Sequence, residues 1–143
     1  MDVKQISVFL ENRPGALYEF TELLKKNDIN MRALCLAEIS EYGVLRLIVD
    51  DNYELTTVLK AEDYIFKATP VLAIAIKDEP GSLVNILAAL KDAEINVEYT
   101  YAFTTKHRDE AYIILKVSDV EGGRRALNRA GIKILNQEDL EQL

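Results

Sequence analysis

Two short stretches of the chain combine residue types that can bind an anion. Residues 12–17 read NRPGAL and residues 78–83 read DEPGSL. Proline fits the first turn of a helix because its missing N–H would have no partner there, and glycine leaves no side chain over the neighbouring amides. The start of a helix has unpaired N–H groups and a partial positive charge, so it attracts carboxylates and phosphates. Each stretch is therefore a candidate anion site, and the structural alternative is a tight turn from strand into helix.

Both stretches also contain polar residues that could cap the helix start. Asn12 and Asp78 precede Gly15 and Gly81 by three residues, and we expect a side-chain oxygen of each to cap one helix amide. The remaining amides would take the carboxylate of a ligand. Oxygen atoms of Asp78 and Asn12 can also accept hydrogen bonds from a ligand.

The other residues that could do chemistry stand alone. His107 is the only histidine and lies in the charged segment TTKHRDEA, where we expect a solvated loop. Cys35 is the only cysteine, so it cannot form an internal disulfide, and we expect it to be a small core residue. Neither a nucleophile–base pair nor a His/Cys metal cluster can be assembled from them. The sequence predicts a protein that is not an enzyme and has no cofactor and no metal.

Charge and hydropathy narrow the class of partner. The formal net charge is -7 and the basic residues are scattered, which disfavours binding to nucleic acid or to an anionic membrane. No apolar window approaches the roughly 18 residues of a membrane helix. The N-terminus MDVKQISVFL lacks the features of a signal peptide. We expect a cytoplasmic protein whose partners are small molecules or other proteins.

The chain contains an internal repeat. A shift of 66 positions aligns seven identical pairs within 17 residues. The pairs are Pro14 and Pro80, Gly15 and Gly81, Leu17 and Leu83, Leu24 and Leu90, Lys25 and Lys91, Ile29 and Ile95, and Asn30 and Asn96. Apolar alternation before each Pro-Gly predicts a strand, and helical spacing after it predicts an amphipathic helix.

The pattern of each repeat continues as strand, strand, helix, strand, which is the ferredoxin-like arrangement. The predicted fold class is α+β, with two βαββαβ modules, 1–70 and 71–143, whose antiparallel sheets carry helices on one face. No Gly/Ser-rich linker separates them, so we expect the modules to pack side by side. We also expect the start of each second strand, Ile29-Asn30 and Ile95-Asn96, to lie beside the Pro-Gly turn. The acidic tail, including Glu138 and Asp139, is interpreted as solubilising charge.

The segments ENRPGAL...INM and KDEPGSL...INV resemble the ACT domain, the small regulatory module of amino-acid metabolism, and the resemblance covers both halves. It implies a tandem ACT protein whose modules form one continuous eight-stranded sheet, with amino-acid effectors bound at the seam between them. The first site would comprise Asn12, Arg13, Pro14, Gly15, Ala16 and Leu17 with Asn96 and Val97. The second would comprise Asp78, Glu79, Pro80, Gly81, Ser82 and Leu83 with Asn30 and Met31.

The two turns differ in charge, with Asn-Arg in the first and Asp-Glu in the second, so they could bind different ligands or only one could bind. The expected function is amino-acid sensing, passed on to a regulated enzyme or another protein. Apolar residues on the outer sheet faces, such as Phe9, Ile48, Ala73 and Ala75, indicate a homodimer. The alternative is a structural or protein-interaction regulatory subunit whose turns stay unoccupied.

Overall fold

The chain folds into two compact units. The computed structural model describes residues 2–103 and 109–143, and His107 lies outside them. One unit is Lys4–Thr69, and the other comprises Met1–Val3 and Pro70–Leu143.

The unit Lys4–Thr69 has the predicted order of elements. They are β1 Lys4–Glu11, α1 Ala16–Lys26, β2 Met31–Ile39, β3 Tyr42–Val49, α2 Asn52–Ala61 and β4 Phe66–Pro70. The strands form a four-stranded sheet in the order β2-β3-β1-β4. The first and third strands are therefore central, as in the ferredoxin-like arrangement.

The second unit repeats this order and adds one helix. Its elements are β5 Leu72–Lys77, α3 Ser82–Asp92, β6 Val97–Phe103, β7 Glu110–Val117, α4 Val120–Arg129, β8 Ile134–Leu135 and α5 Gln137–Glu141. Its sheet has the order β6-β7-β5-β8, so the fold class of two ferredoxin-like modules is confirmed. The described strands pair as two four-stranded sheets. The expectation of one continuous eight-stranded sheet is therefore wrong for hydrogen bonding within a chain, because no described edge strand of one sheet bonds to the other sheet.

Each unit buries one apolar face of its sheet beneath its two long helices. The core of the first consists of Ile6, Val8, Leu10, Phe20, Leu24, Leu45, Leu47, Val49, Leu55 and Leu59. The core of the second consists of Leu72, Ile74, Ile86, Leu90, Ile113, Leu115, Val117 and Leu127. Burying each such side chain contributes about 1.5–3 kcal/mol, so the alternation read from the sequence drives the folding of both units.

The outer sheet faces expose fewer apolar residues than the homodimer prediction required. Ile48 and Ala73 are fully buried within the single chain, so they offer no surface to a second copy. Phe9 remains 45% exposed. Cys35 is half-buried rather than a core residue, because it lies on the edge strand β2.

The first residues of the chain belong to the C-terminal unit. Val3 is buried, and its carbonyl oxygen accepts a hydrogen bond from the Val71 amide at 3.1 Å. The carboxylate of Asp2 lies 2.8 Å from the Arg124 guanidinium on α4. The N-terminal residues are thus fixed beside β5 before the chain enters β1.

The tail is ordered as helix α5, which the sequence interpretation missed. Asn136 Oδ1 accepts from the Asp139 amide at 2.8 Å, and the Asp139 carboxylate accepts from the Asn136 amide at 2.9 Å. This reciprocal pair is a capping box. Leu140 is fully buried, so the helix is held by packing as well as by its cap.

We predict that Leu140→Ala lowers the free energy of unfolding by about 2–5 kcal/mol, because it leaves a cavity where a leucine was fully buried. Urea unfolding followed by circular dichroism measures this change. The neighbouring Gln142 is exposed, and Gln142→Ala should change the same quantity by less than about 0.5 kcal/mol. Equal unfolding midpoints for the two variants would contradict the docking of α5.

Candidate functional site

The two Pro-Gly stretches form the same tight turn. Gly15 has φ 87° and ψ -12°, and Gly81 has φ 88° and ψ -9°. The Ala16 amide donates to the Arg13 carbonyl oxygen, and the Ser82 amide donates to the Glu79 carbonyl oxygen, both at 3.3 Å. Proline followed by a left-handed glycine under such a bond is a type II β-turn. Pro14 and Pro80 therefore precede the helix, and the prediction that they lie in its first turn is wrong by two residues.

A backbone hydrogen bond ties each turn to the hairpin of its own sheet. The Asn12 amide donates to the Glu41 carbonyl oxygen, and the Asp78 amide donates to the Asp109 carbonyl oxygen, both at 2.9 Å. The two repeats therefore share these backbone hydrogen bonds as well as their sequence pattern, and α1 and α3 start at equivalent positions.

No side chain caps the start of α1 or α3. The predicted capping by Asn12 and Asp78 is wrong, because the left-handed glycines occupy the cap position and leave both residues too far upstream. The amide nitrogen of the Asn12 side chain donates instead to the Ser40 carbonyl oxygen at 3.1 Å. The Ala16 and Ser82 amides already donate within their β-turns, and the Val84 amide donates to the Gly81 carbonyl oxygen at 3.1 Å. The amides of Leu17 and Leu83 are left for solvent or a ligand.

The register of the strands corrects the expected neighbours of each turn. Met31 at the start of β2 pairs with Val49, whereas Glu11 beside the turn pairs with Tyr42. Since β1 and β2 are both antiparallel to β3, they run in the same direction, and β2 starts at the sheet end opposite the turn. Val97 likewise pairs with Val117, far along β7 from the turn of its module. The prediction that the strand start lies beside the turn of the same module is therefore wrong.

The first turn instead adjoins the end of β2 and the start of β3. A pocket of about 190 Å³ lies there. It is lined by Leu10, Glu11, Asn12, Arg13, Ala16, Leu17, Leu36, Ala37, Glu38 and Gly43. The sequence interpretation missed six of these ten, namely the first two and the last four. The last four could have been identified only from the strand register.

Arg13 is not the free cation that its sequence suggested. Its Nε donates to Glu11 Oε2 and its Nη2 to Glu19 Oε2, both at 2.9 Å, and its Nη1 donates to the Pro14 carbonyl oxygen at 3.4 Å. The hydrogen bond that Arg13 donates to Glu19, followed by the one it donates to Glu11, raises the pKa of Arg13. The hydrogen bond from Arg13 in turn lowers the pKa of Glu19. Two carboxylates of the protein thus already surround this guanidinium.

The second turn is open. A Cβ atom built on Gly81 would have nothing within 4 Å apart from its chain neighbours. The first turn of α3 contains no acidic residue. Asp78 and Glu79 are exposed, and within the described ranges neither carboxylate has an ion pair. Among the described residues, this surface therefore combines the unpaired Leu83 amide with two carboxylates that form no ion pair.

The described part of the chain holds no other centre of chemistry. No group of three or more His, Cys, Asp or Glu side chains in residues 2–103 and 109–143 could hold a metal ion. None of the helices in these ranges is long and apolar enough to cross a membrane.

The whole sequence, residues 1–143, matches the family model of the ACT domain pair. The chain belongs to the ACT domain pair family. The resemblance seen in the two Pro-Gly segments is confirmed, and an ACT domain pair is a regulatory module. No curated protein matches the sequence.

Several solved structures are similar to this chain. Protein BT0572 from Bacteroides thetaiotaomicron is 34% identical, with a TM-score of 0.93 over 100% of this chain and 98% of that one. The ligand-free regulatory subunit of aspartate kinase from Thermus thermophilus is 14% identical, with a TM-score of 0.62 over 91% and 93% of the two chains. The corresponding subunit from Thermus flavus is 16% identical, with a TM-score of 0.58 over 92% and 94%. The last two show a shared fold.

The predicted site residues of this ACT domain pair differ in accessibility. The exposed ones are Asn12, Arg13, Pro14, Gly15, Asn30, Asp78, Glu79, Pro80, Gly81 and Asn96; the half-buried ones are Leu17, Met31, Ser82, Leu83 and Val97; Ala16 is buried. Met31 and Val97 pack against the cores of their own modules. The pairing of each turn with the strand start of the other module stays a prediction.

We predict that Arg13→Gln raises the pKa of Glu19 toward its ordinary value of 4.5, because the hydrogen bond that lowers it is lost. Carboxyl titration by NMR measures this. Since the pKa of Glu19 is lowered in the folded protein, the pair stabilises the fold above the ordinary pKa. That stabilisation disappears as the pH falls through the lowered value. Lys25→Gln on the same helix should leave the pKa of Glu19 unchanged, and an equal response to both variants would exclude the ion pair.

Proposed function

We propose that this ACT domain pair is a cytoplasmic amino-acid-binding regulator whose modules, 1–70 and 71–143, hold a zwitterion at the seam between them. One observation carries the proposal: the second Pro-Gly turn has an open, uncapped helix start beside Asp78 and Glu79, whose carboxylates form no ion pair within the described ranges. A free α-amino acid has a carboxylate that can bind at the helix start and an ammonium group that can bind the two acidic side chains.

The chemistry of the second turn explains how a small ligand would be held. The amide of Leu83, in the first turn of α3, faces no intrahelical carbonyl and can donate to the ligand carboxylate. Asp78 and Glu79 can accept hydrogen bonds from the ammonium group. Each hydrogen bond to a charged group contributes about 1.5–3 kcal/mol, so a few of them suffice for binding at micromolar to millimolar concentrations.

The remaining residues of each site would come from the other module. Asn30 with Met31 would complete the second site, and Asn96 with Val97 the first. The backbone of Asn96 is fixed by hydrogen bonds with Ser118, from the Asn96 amide to Ser118 Oγ at 3.1 Å and from the Ser118 amide to the Asn96 oxygen at 2.9 Å. Its exposed side-chain amide could then donate to, or accept from, either end of a zwitterion.

Ligand binding at a seam explains regulation by a protein without catalytic residues. A ligand that contacts both modules stabilises one arrangement over another, and the change in population passes to a partner. The proposed partners are a regulated enzyme or a second copy of this chain. The structurally similar subunits from Thermus are regulatory parts of aspartate kinase, and one of them is described as ligand-free.

The alternative function, a structural or protein-interaction subunit, has one observation in its favour. Phe9, Ile39, Tyr42 and Ile65 are between 45% and 70% exposed and line one apolar pocket with Val44. Exposed apolar patches of this kind are found where proteins bind one another. In that case the Pro-Gly turns would act only as connections between strand and helix.

Thermal unfolding against each of the twenty proteinogenic amino acids separates the two functions. The protein is first unfolded, dialysed and refolded, so that no ligand from the expression host remains. An amino acid at about 100 times its dissociation constant stabilises the folded state by about 2.7 kcal/mol and raises the midpoint. A flat response across the panel would favour the structural subunit.

We predict that Asp78→Asn/Glu79→Gln weakens binding of the stabilising amino acid by about tenfold or more, because charge-assisted hydrogen bonds to its ammonium group are lost. Isothermal titration calorimetry measures the affinity. The control Asp92→Asn/Glu94→Gln makes the same change of net charge at the other end of α3 and should leave the affinity unchanged. Equal weakening in the two variants would indicate a general charge effect and not contacts at the turn.

A further inference from the structure

The two Pro-Gly turns have the same backbone but differ in the side chains that surround the helix start. We propose that Arg13 and Glu19 close the first turn to zwitterions, so that each chain binds one amino acid, at the second turn. This inference rests on the proposed function and assigns specificity to residues of the first site.

The Arg13 side chain lies against the first turn. Its Nη1 lies 4.0 Å from the position of a Cβ atom on Gly15 and also donates to Glu19 Oε1 at 3.4 Å. The guanidinium reaches from Glu11 at the end of β1 to Glu19 on α1, with two contacts of 2.9 Å. A ligand that approaches Gly15 would therefore meet a guanidinium already bonded to two carboxylates.

Glu19 adds an electrostatic obstacle. It is the acidic residue in the first turn of α1, where its charge interacts favourably with the positive end of the helix. A ligand carboxylate arriving there would meet a like charge already in place. Glu11, Arg13 and Glu19 together carry one net negative charge, so the cluster offers no excess cation to compensate.

The second turn lacks each of these obstacles. At a shift of 66 positions, Lys77 stands for Glu11, Glu79 for Arg13 and Asn85 for Glu19. No side chain lies within 4 Å of a Cβ atom on Gly81, and the first turn of α3 has no acidic residue. The same backbone is therefore closed in one module and accessible in the other.

Reciprocal exchange of two residues tests this assignment. Arg13→Glu/Glu19→Asn copies the second turn into the first, and Glu79→Arg/Asn85→Glu copies the first turn into the second. The probe is the amino acid that raises the unfolding midpoint in the panel of twenty, and titration calorimetry gives the number bound per chain. We expect one ligand for the wild type and two for Arg13→Glu/Glu19→Asn. For Glu79→Arg/Asn85→Glu we expect a loss of affinity of about tenfold or more.

A matched control separates the turn from a general effect of charge. Lys25→Glu/Glu22→Asn makes the same kind of exchange on the same helix, away from its start, and should leave one ligand per chain at unchanged affinity. Far-UV circular dichroism confirms that each variant is folded before its titration is interpreted.

The outcomes distinguish this inference from the proposed function. Two ligands bound by the wild type, or one ligand that Glu79→Arg/Asn85→Glu binds unchanged, would overturn the closure of the first turn while leaving an amino-acid regulator. A stoichiometry that stays at one in Arg13→Glu/Glu19→Asn would overturn it as well. A wild type that binds none of the twenty amino acids would instead overturn the proposed function.

Discussion

In each module, a glycine with φ near 87–88° lies between the first strand and the first helix. This conformation is open to glycine and costs other residues about 1–2 kcal/mol, so the turn depends on Gly15 and Gly81. It directs the helix back over its sheet and occupies the position where a capping side chain would otherwise stand. The bare helix start follows from that backbone geometry.

The two copies of the turn share their backbone hydrogen bonds but differ in their side chains. The β-turn bond and the bond to the neighbouring hairpin have the same lengths in both modules. The side chains differ: Arg13 is paired with Glu19 in one module, whereas in the other Asp78 and Glu79 form no ion pair with any residue that the structure describes. Loops tolerate substitution better than the sheet that carries them. The same backbone turn can therefore have side chains over its helix start in one module and none there in the other.

The sequence predicted what depends on local periodicity. Alternating and helical apolar spacing, repeated at a constant shift, was enough for the order of elements, for both cores and for the family. Helix α5 was missed although the Asn136-to-Asp139 spacing of its capping box was present in the sequence. The solubilising role given to Asp139 overlooked that spacing.

Features that depend on three-dimensional register were beyond the sequence. The strand start at Asn30 was expected beside the turn, but the direction of β2 follows from its pairing with β3. The capping by Asn12 failed because a cap requires the helix start to be known to a single residue. The ion pairs of Arg13 depend on where two exposed side chains point, which no spacing fixes.

Because of the hydrogen bond between Val3 and Val71, the two units differ in how the chain enters and leaves them. Because Val3 is anchored on the C-terminal unit, the N-terminal unit leaves and re-enters that unit at adjacent points, as an inserted domain does. If the N-terminal unit alone unfolds, its chain remains a closed loop, and a closed loop gains less conformational entropy on unfolding than a free chain. Anchoring Asp2 and Val3 thus stabilises the folded unit Lys4–Thr69 by lowering the conformational entropy of its unfolded chain.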